Sequence, residues 1–270
     1  MDIKLIAIDI DGTLVNDMKQ ITQTTIQAVN KARKQGIKVV LCSGRPLSGV
    51  KAYLEKLGIS GNNEYAITFN GGTVQTLDGK ILFSHGLSYD DFLQVEMLSR
   101  KFNVHFQVEN NDGIYVTNRN QSPYSTAEGF LVHLPINYRA PEDITPDTPI
   151  AKAMYVDFPK EIQRVKPLIP KDLKERLNIV QSETCFLEIM DKQASKGNAL
   201  KDLGKSLGLT VDNIMALGDA GNDLSMIQYA KTSVAMGNAT KEVKEAASFV
   251  TKTNNENGAA YAIDKFVNNK

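Results

Sequence analysis

The sequence contains little cysteine and histidine, which limits the kinds of metal site it could form. Its 270 residues include two cysteines, Cys42 and Cys185. These two are too far apart in the chain to match a metal-binding spacing or a disulfide framework. Because free cysteines are commonly buried, we interpret both as packing residues. The three histidines also lack a metal-binding spacing and are interpreted as structural; they are His85, His105 and His133.

The sequence also lacks an excess of charge of either sign and a long apolar run. Its 31 basic and 31 acidic residues cancel, which gives no support for a nucleic-acid or membrane-surface partner. No apolar segment reaches the roughly 20 residues that a membrane-spanning helix needs. Asp9 and Asp11 interrupt the first apolar run, so it does not match a signal peptide. We therefore predict a cytoplasmic protein without nucleic-acid or membrane partners; a homodimer remains open.

Short apolar runs alternate with helical patterns at both ends of the chain. Runs at 5–8, 37–42 and 65–69 are separated by two helical patterns, the first of which begins after Thr22. Such alternation is typical of βαβ units and a parallel sheet. The same rhythm returns after about residue 191, with short strands predicted at 214–217, 234–236 and 249–251. We therefore predict one discontinuous α/β domain, formed by residues 1–82 and 191–270.

The middle of the chain, residues 83–190, has a different rhythm. Asn110 to Gly113 lies between two short apolar runs, which is a hairpin signal. Ser88, with Asp91 three residues later, is expected to cap a helix. Hairpins together with a few helices predict an inserted α+β unit with an antiparallel sheet.

The first of four polar clusters at predicted strand ends is Asp9 to Thr13. Ligands of open parallel sheets bind at the carboxyl ends of the strands. Asp9 and Asp11 are two residues apart, so on an extended strand they would face the same side. Paired carboxylates repel unless a cation joins them, and Mg²⁺ favours such ligands. The alternative is a polar strand end whose acids cap the following loop.

The second and third clusters could hold a phosphate group. Ser43 and Gly44 offer a hydroxyl and backbone amides at a strand-to-helix turn. Taken alone this signal is weak, and a simple helix start with Pro46 is the favoured alternative. Lys196 could serve as a point charge for phosphate. Lysine is usually exposed, so a solvated surface residue is the alternative.

The fourth cluster is rich in acids again. Asp219 ends a predicted strand and Asp223 begins a helix, so both could complete a cation site. Alternatively, Asn222 or Asp223 merely caps the helix. Together the four clusters contain a nucleophile, metal ligands and fixed positive charge, which are the groups that phosphoryl transfer requires.

The four clusters resemble the four motifs of the haloacid dehalogenase-like superfamily, in particular its Cof-type sugar phosphatases. The matching stretches are DIDGTL at 9–14, SGRP at 43–46, KG at 196–197 and GDAGND at 218–223. Further matches are FNGG at 69–72, VAMGNA at 234–239 and NG at 257–258. The resemblance covers both segments of the predicted core.

This resemblance implies a Rossmann-like core with an inserted α/β cap over the site, and a role for each matching residue. Asp9 would be the nucleophile, and Asp11 would protonate the leaving alkoxide and then deprotonate water. Mg²⁺ would bind the Asp9 carboxylate, the Asp11 backbone carbonyl, Asp219 and Asp223. The residues implied to hold the phosphoryl group are Ile10, through its amide, Thr13, Ser43, Gly44, Lys196 and Asn222.

We therefore predict a magnesium-dependent phosphatase that hydrolyses small phosphomonoesters, sugar phosphates first, through an aspartyl-phosphate. Nucleotide or cofactor phosphates such as FMN or pyridoxal phosphate are the second class of substrate. A sugar phosphomutase would share the first step but return the phosphoryl group to a sugar. A non-catalytic sensor of phosphorylated ligands and a purely structural module are the remaining alternatives. The choice of substrate is expected to lie in the insert.

Overall fold

The structure, a computed structural model, describes residues 2–268, which form two sheets flanked by helices. The strands are β1 (Leu5–Asp9), β2 (Lys38–Cys42), β3 (Tyr65–Thr68), β4 (Thr73–Thr76), β5 (Ile81–Ser84), β6 (Phe106–Glu109), β7 (Ile114–Val116), β8 (Ile136–Tyr138), β9 (Lys152–Val156), β10 (Leu177–Glu183), β11 (Phe186–Asp191), β12 (Ile214–Gly218), β13 (Thr232–Ala235) and β14 (Phe249–Val250). The α-helices are α1 (Gln23–Lys34), α2 (Leu47–Lys56), α3 (Tyr89–Phe102), α4 (Pro123–Val132), α5 (Pro159–Val165), α6 (Lys171–Arg176), α7 (Lys196–Ser206), α8 (Leu224–Tyr229), α9 (Lys241–Ala246) and α10 (Gly258–Ile263). The predicted mixed α/β class is confirmed.

The chain divides into two compact units. The first ends at Phe83 and resumes at Ser195, and the second is Ser84–Ala194. The second border lies a few residues beyond the expected 190, because β11 continues to Asp191 before the chain returns to the first unit. The insertion joins the first unit after the edge strand β5, so the central strands of the first sheet are not interrupted.

The first unit contains a sheet in the order β14-β13-β12-β1-β2-β3-β4-β5. Its neighbours from β14 to β3 run parallel, and β3 and β4 form an antiparallel hairpin. Ile8 pairs with Leu217 of β12, and Asp9 pairs with Cys42 of β2. This register brings the carboxyl ends of β1, β2 and β12 to one edge of the sheet.

Each face of this sheet has its own hydrophobic core. Ile6 and Ile8 of β1 pack in one cluster with Val29 of α1, and Leu5 and Ala7 pack in another with Leu200 of α7. Side chains alternate between faces along a strand, so an apolar run such as β1 is buried on both sides. Burying one such leucine or isoleucine contributes about 1.5–3 kcal/mol, which holds the strand that carries Asp9 in place.

Helices α1 and α7 each begin after a residue whose side-chain hydroxyl caps the helix. The Thr22 side chain accepts a hydrogen bond from the backbone N–H of Thr25 at 3.2 Å, as expected for the cap of α1. Ser195 accepts one from the backbone N–H of Asn198 at 3.1 Å and caps α7. The cap of α7 places Lys196 at the first position of that helix.

The second unit is built on a sheet in the order β10-β11-β9-β6-β7-β8. All of its described strand pairs are antiparallel except β7 with β8. Phe92 of α3 and Phe106 and Tyr155 of the sheet lie in its largest cluster. Ser88 caps α3 and the hairpin turns at 110–113, as predicted. Helix α4 and strand β8 were not predicted.

Among the helices described, none combines the length and the apolarity that crossing a bilayer would require.

Candidate active site

Asp9 is the last residue of β1, and the backbone leaves the strand immediately after it. Residues Ile10–Leu14 form a π-type turn in which Gly12 takes a left-handed conformation, with φ of 79°. A Cβ at Gly12 would lie 2.3 Å from a carboxylate oxygen of Asp219, so only glycine fits. The expectation that Asp9 and Asp11 share a strand face is therefore wrong, because strand alternation stops at Asp9.

Asp9 lies next to a buried ammonium group. Lys196 Nζ donates to Asp9 Oδ1 and to Asp223 Oδ1, both at 2.7 Å. Lys196 and Asp223 are fully buried, and Asp9 is nearly so. Burial alone would lower the pKa of Lys196, but the carboxylates of Asp223 and Asp9 raise it. The lysine that could have been a surface residue is thus a fixed positive charge beside the predicted nucleophile.

Asp223 also organises the turn after β12. Its Oδ2 accepts hydrogen bonds from the backbone N–H groups of Asp219, at 2.9 Å, and of Ala220, at 3.0 Å. As the N-cap residue of α8, Asp223 forms no side-chain capping hydrogen bond; its carboxylate instead fixes the turn that precedes this helix. Asp219 in turn accepts a hydrogen bond from the Thr13 hydroxyl at 3.0 Å, which engages the hydroxyl that was predicted to hold phosphate.

Three carboxylates converge here. Asp9, Asp219 and Asp223 each place one oxygen so that all three oxygens lie within 4.8 Å of one another. Burial, followed by the charge of Asp223, raises the pKa of Asp9 to about 8. The same two causes, in the same order, raise the pKa of Asp219 to about 6. Three carboxylates face one ammonium, so a further cation would be favourable, and oxygen ligands suit Mg²⁺.

The Asp11 carboxylate points elsewhere. It forms a bidentate ion pair with Arg45, whose Nε lies 3.1 Å from Asp11 Oδ2, and it accepts from Lys19 Nζ at 2.7 Å. Partial burial acts to raise the pKa of Asp11, but Lys19 and Arg45 hold this pKa below its usual range. Its side chain is thus not one of the three clustered carboxylates; the predicted metal contact of Asp11 was through its backbone carbonyl.

The residues predicted to bind the phosphoryl group lie at neighbouring strand ends. Ser43 follows β2 and is buried, and Gly44 lies against the side chain of Asn70. Asn222 Nδ2 donates to Asn70 Oδ1 at 3.0 Å. Ile10, whose amide was predicted to contribute, is buried beside Asp9. The structure therefore brings Gly44 and Asn222 to a common neighbour, Asn70.

Sequence reasoning assigned no role to Arg45, Lys19, Asn70 or Asn238. Asn238 Nδ2 donates to the backbone oxygen of Gly12 at 2.8 Å and also lies 3.3 Å from Asp219 Oδ2. Arg45, Asn70 and Asn238 all belong to stretches that matched the family, so the family motifs could have identified them as site residues. Lys19 lies in no such motif.

Comparisons with known proteins agree with this geometry. Residues 6–263 match the family of haloacid dehalogenase-like hydrolases. A Streptococcus pyogenes protein that carries a provisional phosphatase name is 43% identical over the whole of both chains. A Bacillus subtilis 5-amino-6-(5-phospho-D-ribitylamino)uracil phosphatase is 30% identical, over 99% of this chain and 97% of its own. The crystal structure of a haloacid dehalogenase-like hydrolase from Bacteroides thetaiotaomicron superposes with a TM-score of 0.86 and 31% identity, covering 97% of this chain and 99% of that one.

Motifs, fold and relatives thus agree, and the chain belongs to the haloacid dehalogenase-like hydrolases, as a phosphatase of that family.

Proposed function

We propose that this phosphatase hydrolyses small phosphomonoesters through an aspartyl-phosphate on Asp9, with Mg²⁺ as cofactor. The observation that supports this most strongly is the position of Asp9, which lies at a strand end within one hydrogen bond of the buried Lys196. A carboxylate can approach a phosphate dianion only where positive charge offsets the repulsion. Covalent capture then divides one difficult step into two.

The carboxylates around Asp9 fit a magnesium ion. Asp9, Asp219 and Asp223 would hold it, together with the Asp11 backbone carbonyl. The fit rests on the donor set, in which three carboxylate oxygens converge and carry more negative charge than Lys196 balances. When bound, Mg²⁺ would neutralise charge on the phosphoryl oxygens and orient them. Asp223, already bonded to Lys196, would mainly support the other ligands.

In the first step, an Asp9 oxygen attacks phosphorus and the bond from phosphorus to the leaving oxygen breaks. Asp11 donates a proton to that oxygen, which departs as an alcohol. In the second step water attacks phosphorus, Asp11 accepts its proton, and the bond to Asp9 breaks to release phosphate. Because Asp11 is paired with Arg45 and Lys19 in this structure, it must exchange these partners for the leaving oxygen before it can act as an acid.

The substrate class that we propose is a phosphorylated sugar or polyol. The named Bacillus subtilis relative acts on an ester whose phosphate is carried by a ribityl chain, an open polyol. Ser43, Gly44, Lys196, Asn222, Thr13 and the Ile10 amide would hold the phosphoryl group, which all such esters share. We assign the choice among esters to the second unit, Ser84–Ala194. Nucleotide and cofactor phosphates are the second class.

The test measures phosphate release from sugar phosphates with magnesium, with chelator, and after magnesium is restored. Chelation should abolish turnover and magnesium should restore it. The rate of phosphate release by Asp9→Asn should fall roughly 10³-fold or more, because the substitution removes the nucleophile. Acid-quenched labelling with a phosphorus-labelled ester should mark Asp9 in the wild-type chain. Asp212→Asn is the matched control, since Asp212 lies in an exposed ion pair with Lys231.

Near-normal turnover by Asp9→Asn would refute the covalent mechanism. Full activity in excess chelator would remove the metal from the proposal. A requirement for a sugar bisphosphate, with no phosphate released, would favour the phosphomutase alternative.

A further inference from the structure

The turn that follows β3 adopts an unusual backbone conformation. Phe69 and Asn70 both have positive φ angles, of 51° and 54°. Side chains with a Cβ are disfavoured in this region, and a buried aromatic residue especially so. Consecutive residues of this kind persist only where their surroundings hold them, and they are found preferentially at functional sites.

This turn contacts the second predicted cluster through its backbone. The N–H of Asn70 donates to the Ser43 carbonyl at 2.9 Å, and the N–H of Phe69 donates to the Arg45 carbonyl at 3.2 Å. The side chain of Asn70 lies over Gly44: a Cβ at Gly44 would lie 3.0 Å from Asn70 Nδ2. The presence of Asn70 thus explains why a larger residue at position 44 would crowd the turn.

The same turn contacts the third and fourth clusters. A Cβ at Gly71 would lie 2.1 Å from the carbonyl oxygen of Ser195, so the turn packs directly against the start of α7 and Lys196. Asn70 Oδ1 accepts a hydrogen bond from Asn222 Nδ2 at 3.0 Å. One turn therefore links the residues that are predicted to bind the phosphoryl group and that arrive from three separate parts of the chain.

The Nδ2 group of the Asn70 side-chain amide can donate hydrogen bonds to a ligand. Within residues 2–268, no group accepts a hydrogen bond from Asn70 Nδ2. The side chain is half-buried, and its amide orientation is set by the bond from Asn222. Two N–H donors are thus held in place beside Gly44, where a phosphoryl oxygen would accept them.

We infer that Asn70 is a further phosphoryl-binding residue, which donates from Nδ2 to a phosphoryl oxygen while its Oδ1 orients Asn222. The inference rests on the proposed location of the phosphoryl site. It predicts that Asn70 affects every ester alike, because the phosphoryl group is common to them all.

The test replaces Asn70 with glycine, which adopts positive φ without strain and so preserves the turn. We expect Asn70→Gly to unfold at or above the wild-type temperature, while kcat/KM falls roughly 10²-fold, as when one donor to a charged oxygen is removed. The inhibition constant of inorganic phosphate should rise at least about tenfold, since the product occupies the same donors. Losses on aryl and alkyl phosphates should be equal.

A second variant separates orientation of Asn222 from donation to phosphate. Asn70→Asp keeps an acceptor for Asn222 and tolerates positive φ, but it has no N–H donor. It should lose at least as much activity as Asn70→Gly. The matched control is Asn103→Gly in the second unit, where an asparagine has a φ of 50° at the end of α3; its kinetics should stay at wild-type values.

Wild-type kcat/KM and phosphate inhibition in Asn70→Gly would overturn the inference, since the residue would then serve only the backbone. Wild-type kinetics in Asn70→Asp would overturn the donor role. These results are distinguishable from failure of the proposed function, which Asp9→Asn tests separately.

Discussion

At the scale of single residues, long-range partners decide what each predicted site residue does. The predicted site residues lie at neighbouring strand ends, but the environment of each one depends on the folded chain. Lys196 would be assigned to the surface by residue type, yet it is 0% exposed because Asp9 and Asp223 approach it from other segments. Strand alternation could not reveal that Asp11 diverges from Asp9, because the turn at Gly12 ends the strand. Nor did it reveal Arg45 and Lys19 as partners of Asp11.

The proposed role of Asp11 gives a prediction at this scale. Asp11→Asn removes the proton donor, so esters with poor leaving groups should suffer most. We expect turnover of a sugar phosphate to fall at least about tenfold further than turnover of nitrophenyl phosphate, whose leaving group needs little protonation. The measurement is kcat/KM for both esters in the variant and the wild type.

The pattern of losses separates this variant from those at Asn70, which should affect both esters alike. Equal losses on the two esters in Asp11→Asn would contradict the proton-donor role of Asp11.

At the scale of elements, helices and strands with local signals were predictable. Thr22, Ser88 and Ser195 cap helices, and apolar runs became the buried strands of the first sheet. The Phe69–Gly71 turn and helix α4 could not be predicted from the sequence. The positive φ of Phe69 has no signal in the local sequence, whereas the turn that contains it contacts Ser43, Arg45 and Ser195 from distant segments. Helix α4 is defined by packing over the second sheet rather than by a clear apolar period.

Helix α4 also covers a buried ionic cluster. Lys152 of β9 lies 3.3 Å from Glu109, 3.4 Å from Glu188 and 3.6 Å from Glu128 of α4. Burial, opposed by Lys152 and reinforced by the charges of Glu128 and Glu188, raises the pKa of Glu109 from 4.5 to about 7. Three carboxylates thus share one ammonium, and the folded state favours a proton on Glu109.

This cluster predicts how stability depends on pH. Because the pKa of Glu109 is higher in the folded than in the unfolded chain, its contribution to the free energy of unfolding is complete below about pH 4.5 and is lost as pH rises through about 7. Glu109→Gln mimics the protonated form. It should therefore be more stable than wild type at pH 8, by roughly 3 kcal/mol at about 1.4 kcal/mol per pKa unit, and about equal near pH 4.5.

Denaturant unfolding of both proteins at the two pH values checks this, following the transition that reports the second unit. Glu175→Gln is the control, since Glu175 pairs with Lys171 in an exposed position. A stability difference between Glu109→Gln and wild type that is the same at both pH values would contradict the prediction.

At the scale of the whole molecule, the chain consists of two units with separate hydrophobic cores. The change of rhythm along the sequence predicts two domains, because hydrophobic periodicity differs between parallel and antiparallel sheets. The sequence could not name the substrate, because the motifs that match the family all lie in the first unit. The net charge of zero offers no long-range attraction for a polyanion.

The assignment of substrate choice to the second unit can be tested by exchange. Residues 84–194 are replaced by the corresponding unit of the Bacillus subtilis 5-amino-6-(5-phospho-D-ribitylamino)uracil phosphatase, which aligns over nearly its full length. We expect the preference within a panel of sugar, polyol, nucleotide and cofactor phosphates to follow the second unit. Relative kcat/KM across the panel is the measurement, with a phosphopeptide and a 5′-phosphorylated oligonucleotide included as large substrates.

Preferences that stay with the first unit would place the determinants there. A large substrate that exceeded every small ester in the wild-type chain would refute the proposed substrate class.

The position of β1 in the sheet has a consequence for synthesis on the ribosome. β1 lies between β2 and β12, and β12 emerges only after the whole second unit has been translated. The second unit is continuous and can fold first, whereas one edge of β1 stays unpaired until Ile214–Gly218 arrives. A nascent chain that stalls before this point exposes an apolar strand edge beside Asp9, where pairing with another chain leads to aggregation.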